Sequence, residues 1–128
     1  MTTVNVYLTF NGNCEEAFNF YKSAFGGEFP YIGRYKDMPP QDGHKTDSKD
    51  AEKIMHVSLP ISKETVLMGS DTGGEWASSY SQGNNFSISI NTDKKTEADK
   101  VVQWPFCRGT GHYAHESNIL GRLFWNVH

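Results

Sequence analysis

Cysteine is scarce in this chain: two in 128 residues, Cys14 and Cys107, too few and too far apart for a disulfide framework or a zinc-ligand spacing. Long hydrophobic runs are missing as well, so no segment reads as a membrane span, and the first residues lack the apolar core of a signal peptide. Charge of one sign is not in excess. Twelve Lys and Arg against fifteen Asp and Glu leave a net charge of -3, with no basic stripe. That balance argues against a nucleic-acid or anionic-membrane partner. A cytoplasmic, soluble protein is the expectation. Aromatic residues, by contrast, make up 13% of the chain and apolar residues 37%, enough to build the core of one domain or of two small fused modules.

The strongest local signal runs from Val4 to Gly27. Val4, Val6, Leu8 and Phe10 alternate with Asn5, Tyr7 and Thr9, the period of a half-buried strand. Asn11-Gly12-Asn13 turns the chain, and Asn13 is placed to cap a helix with Glu16 as its reciprocal partner. Cys14, Ala17, Phe18, Tyr21, Ala24 and Phe25 then recur at helical spacing until Gly26-Gly27 ends the run. The adjacent carboxylates Glu15 and Glu16 are explained by the helix start rather than by acid–base chemistry.

Further strands are expected near 29–35, 54–61, 65–71 and 86–91, the first near 4–10, with helices near 13–25 and 93–103. The polar stretch from Met38 to Lys53, which contains His44, reads as a mobile surface loop outside the core. A second loop, from Gly73 to Asn85, carries Trp76, which either closes over a ligand or packs at a subunit contact. The passages YLTFNGNCEEAFNFY and ISINTDKKTEADKVV share an outline of strand, polar turn and Glu-Ala on a helix, which points to a duplicated module. The expected fold class is α+β, with module one at 1–80 and module two at 81–128, anomalous after 101.

Alternation assigns faces. Met55, Val57 and Leu59 suit the helix-packed side, leaving Ile54, His56 and Ser58 opposite; Phe86, Ile88 and Ile90 suit it too, leaving Ser87, Ser89 and Asn91. Two readings of the polar face stand side by side. It is a solvated sheet surface, or it lines a cleft with Tyr7, Thr9, His56, Ser58, Ser87 and Ser89.

Taken in order, YLTFNGNCEEAFNFYKSAFGG, IMHVSLPI, LMGSDTGG and NFSISINTD resemble the PhnB-like branch of the vicinal oxygen chelate superfamily, which includes glyoxalase I and the bleomycin resistance proteins. The resemblance spans about residues 4–101. It implies two βαβββ modules, a sheet-lined cleft for a small-molecule ligand, and a homodimer. It implies either a lyase- or isomerase-like enzyme or a non-catalytic protein that sequesters a drug or metabolite. Members often carry a demethylubiquinone methyltransferase-like label, yet the chain has no glycine-rich strand-to-helix loop of the kind that holds S-adenosylmethionine in a doubly wound fold. Metal-dependent members hold a divalent ion with His and Glu from both modules. Here the first strand of each half has no histidine, and His56 alone supplies too few ligands, so neither metal nor other cofactor is expected.

The resemblance stops at Val102. From there VQWPFCRGTGHYAHESNILGRLFWNVH has no clear period. Advancing the reading frame by one nucleotide at the Val102 codon allows the same bases to read FNGLSAGEQVTMPMKATFWEDYFGMC, which completes a helix, a turn and strands. The tail is therefore read as out of frame, and the spacing of His112 and His115 is not a metal motif.

Overall fold

Alternating residues make β1, Val6–Phe10, and the helical run makes α1, Cys14–Phe25. In the computed structural model, residues 1–39, 46–83, 85, 88–92 and 123–127 are described. The chain divides into two compact units, Met1–Tyr80 and Ser81–His128. In the first unit, β2 (Tyr31–Arg34), β3 (Ile54–Pro60) and β4 (Val66–Asp71) follow α1, each close to its expected bounds. The order β-α-β-β-β forms one sheet with strands arranged β1-β4-β3-β2, in which β1 and β4 are parallel and the other pairs antiparallel. A parallel β1–β4 pair needs a long connection, and α1 begins it by crossing one face of the sheet.

That face carries the core. Cys14, Ala17, Phe18, Tyr21 and Ala24 from α1 pack against Leu8, Phe10, Ile54, Val57, Leu59 and Leu67 from the strands. Phe18 is the centre, meeting Phe10 at 6.2 Å and Tyr21 at 5.4 Å, both edge-on, as the ring quadrupole favours. Its ring also dictates the residue beneath it. A Cβ on Gly69 would lie 2.6 Å from Phe18 Cε2 and 2.9 Å from the Leu8 carbonyl oxygen.

Three local expectations are corrected. The first is the helix cap: Asn13 makes no side-chain cap bond. Asp71, at the far end of β4 and 2% exposed, replaces it. Its Oδ1 accepts hydrogen bonds from the Gly12 and Cys14 N–H groups at 2.9 Å, and its Oδ2 accepts one from Ile54 N–H at 2.9 Å. A carboxylate beside the positive end of a helix, with three N–H donors, is a satisfied buried charge.

The second correction concerns β3. Ile54 is buried and Met55 only half-buried, the reverse of the expected assignment. His56 pairs with Gly33 while Ile54 pairs with Arg34, so Met55 is an extra residue. This bulge reverses the alternation upstream of it.

The third concerns the stretch read as a mobile loop. Residues 40–45 lie outside the described set, but 46–53 form a turn held to the unit. Tyr35 and Lys36 N–H groups donate to the carbonyls of Lys53 and Ala51. Asp50 is buried, with its carboxylate bonded to Lys53 Nζ at 2.9 Å and to Gly74 N–H at 3.0 Å. Arg34 adds a two-pronged bond to Glu15 of α1, both contacts at 2.8 Å, and donates to the Glu52 carbonyl.

In the second unit, β5 (Ile88–Thr92) pairs in parallel with β6 (Leu123–Val127). The helix expected at 93–103 lies outside the described residues. What is observed is thus a mixed α+β chain whose first unit, among the described residues, has a four-stranded sheet and one α-helix.

Candidate functional site

The sheet face away from α1 in the first unit is set by the same alternation that builds the core. Tyr7 and Thr9 of β1, Met68 and Ser70 of β4, His56 and Ser58 of β3, and Tyr31 and Gly33 of β2 occupy it. Register aligns one row across the sheet: Tyr7 opposite Met68, Met68 opposite Ser58, Ser58 opposite Tyr31. None of these eight positions carries Asp, Glu, Lys or Arg.

His56 stands between two tyrosine rings. Its ring centroid is 5.8 Å from Tyr7 and 5.8 Å from Tyr31, with interplanar angles of 37° and 45°. Tyr7 Oη and His56 Nδ1 are 3.5 Å apart, a long hydrogen bond at most. Both tyrosines remain about half exposed, at 48% and 50%. Gly33 makes this arrangement possible, because a Cβ there would meet Tyr31 Oη at 2.7 Å. The tyrosine lies over a glycine on its own strand, which brings its ring towards His56 on the next.

Of the residues singled out from sequence, Tyr7, Thr9, His56 and Ser58 share this face. Trp76 sits in a short 3-10 helix, Gly74–Ser79, and Ser89 belongs to β5 of the second unit. Ser87 lies outside the described residues. Sequence reading missed Tyr31. Its signal was available: it is an aromatic two residues before a glycine on a strand, at the same parity as that glycine.

Other reactive groups belong to the scaffold. The Cys14 thiol is fully buried, and its pKa is pushed far above the thiol range by burial, then by Asp71 and Glu15. A thiol so protonated is no nucleophile. Tyr35 donates to the Asp71 carbonyl at 2.7 Å, and burial, followed by Asp71, raises its phenol pKa. A divalent ion does not fit the tyrosine–histidine face, where His56 has no carboxylate or second histidine beside it among the eight positions named. Among the described residues no cluster of three or more His, Cys, Asp or Glu could hold one.

No protein-family model and no curated protein matches the chain. Among solved structures it is similar to protein PA1353 from Pseudomonas aeruginosa, at 25% identity and a TM-score of 0.72, over 99% of this chain and 98% of that one. It is also similar to a PhnB protein from Bacillus cereus, provisionally named a 3-demethylubiquinone-9 3-methyltransferase. There the identity is 19% and the TM-score 0.61, over 98% of this chain and 100% of the other. That second likeness speaks to fold. Together with the helix-backed, four-stranded sheet, these similarities are consistent with the fold of a PhnB protein, the family that the segments between about residues 4 and 101 resemble.

Proposed function

We propose that the tyrosine–histidine face of the first unit binds a small, uncharged molecule with a planar unsaturated part. The observation that carries this reading is the Tyr7–His56–Tyr31 cluster, half exposed on a face without a charged side chain. Aromatic rings left open to solvent offer stacking surface, and the hydroxyls of Tyr, Ser and Thr offer directional hydrogen bonds. A ligand with a formal charge would lack a counter-charge on this face.

The name carried by the Bacillus cereus neighbour concerns a methyl transfer to a quinol-type ring. The ring fits the proposed ligand class; the transfer has less support. At the β1–α1 turn two N–H groups are already bonded to the Asp71 carboxylate, and that carboxylate repels an anionic cofactor group. Binding that sequesters the ligand is favoured over lyase or isomerase turnover, because His56, the one candidate base on the face, has no carboxylate beside it there to orient it. A cytoplasmic homodimer belongs to the same proposal.

A short-tailed 2,3-dimethoxybenzoquinone, which has no acidic hydroxyl and is neutral at the pH where the fold is stable, is a suitable probe, titrated while protein fluorescence is followed. Saturable binding is expected, weakened about tenfold in both Y7A and Y31A, a loss of ~1.4 kcal/mol, the scale of a lost aromatic contact. Absence of saturable binding, or an affinity in both variants equal to that of the parent protein, refutes the site. Consumption of the probe without added cofactor would favour turnover over sequestration.

A further inference from the structure

We infer that the chain from Val102 is displaced by one nucleotide from the frame in which this fold was encoded, and that the advanced frame restores a second copy of the first unit's internal contacts. The informative positions are those where the first unit accepts few residue types, set beside their counterparts in the second passage.

The helical counterparts follow from the repeated Glu-Ala pair, Glu16-Ala17 and Glu97-Ala98. On that alignment Tyr21, fully buried against Phe18, corresponds to Val102; the advanced frame allows phenylalanine there. Ala24, also buried inside α1, corresponds to Pro105. Proline in a helix interior costs about 3 kcal/mol, whereas the advanced frame allows leucine. Gly27 has φ of 86°, a conformation that favours glycine, and corresponds to Arg108. The advanced frame allows glycine there too.

The strand counterpart comes from register, independently of the helix. In the first unit's parallel ladder the middle pair is Leu8 with Gly69; in the second unit's it is Ile90 with Trp125. Gly69 admits no side chain, since its Cβ would collide with Phe18 and the Leu8 carbonyl. The largest residue stands where the first ladder requires the smallest. Tryptophan has one codon, TGG, and the Asn126 codon begins with A. The advanced frame therefore reads GGA, glycine, at the place of Trp125 whatever codons the gene uses.

The codons now decide the matter. The inference requires GTT or GTA for Val102, which read as phenylalanine or tyrosine in the advanced frame, CCT for Pro105, and CGG or AGG for Arg108. Resequencing the gene across these positions is the first experiment. Those triplets support the displacement; a different Pro105 codon, which would give His, Pro or Arg at a buried helix position, overturns it. The second experiment is a peptide map of the protein purified from the cells that carry the gene. Fragments of the advanced reading are expected. Fragments ending in Leu-Phe-Trp-Asn-Val-His, recovered from soluble and cooperatively melting protein, overturn the inference even if the codons agree.

Discussion

Gly69→Ala is the substitution that bears most directly on how the helix sits on the sheet. The added methyl would start 2.6 Å from Phe18 Cε2, 3.0 Å from Phe18 Cζ and 2.9 Å from the Leu8 carbonyl oxygen. The carbonyl is fixed by strand β1, so relief must come from Phe18. That ring is fully buried and bounded by Phe10, Tyr21 and Phe29, with centroids at 6.2, 5.4 and 6.4 Å. It cannot move without displacing them. Overpacking of this kind costs about 1–3 kcal/mol. At roughly 4–8 °C per kcal/mol for a domain of this size, the melting temperature should drop by about 5–20 °C. Thermal and urea melts followed by circular dichroism measure the loss. Pairing Gly69→Ala with Phe18→Leu should recover part of it, because leucine vacates the space of the ring edge. A Gly69→Ala variant within about 0.5 kcal/mol of the parent would refute the close approach of Phe18 to β4.

Asp71→Asn should cost about 1–3 kcal/mol, because an amide cannot accept from the α1 turn and from Ile54 N–H with both of its atoms; urea melts at neutral pH check this. Acid should destabilise the fold through Glu15 and Asp50, whose carboxyl pKa values are lowered by Arg34 and by Lys53 with Gly74 N–H. The sign follows from the lowering. Their contribution is fully present above the unfolded values near 4 and is lost as pH falls through the folded ones, so melting temperature should hold from neutrality to about pH 5 and then fall. Glu15→Gln and Asp50→Asn should flatten that fall. In a Cys107→Ser background, where a colorimetric assay reads a single thiol, Cys14 should resist a thiol reagent at pH 8 in the folded protein and react at once in denaturant.

The β1–α1 segment was legible because its signals are local: alternation, then helical spacing, then paired glycines. The helix cap was not, because Asp71 comes from 57 residues beyond Cys14, and a local candidate, Asn13, obscured it. Alternation failed at Ile54 for a related reason. A bulge is a property of the strand pair, and β3 alone gives no sign that Met55 is extra. The turn at 46–53 looked solvated because it is polar. Its order depends on Asp50 reaching Lys53 and Gly74, the latter 24 residues away. Tyr7, Thr9, His56 and Ser58 could be placed on one face from period alone. That Tyr31 joins them depends on the β2–β3 register and on the space left by Gly33.

The central claim, that the tyrosine–histidine face is a ligand surface, is tested most directly by heteronuclear NMR of the side-chain rings during addition of the neutral benzoquinone. Saturable ring-current shifts confined to Tyr7, Tyr31, His56 and their neighbour Ser58 are predicted. Shifts that fall elsewhere, or none at saturating probe, would contradict the claim.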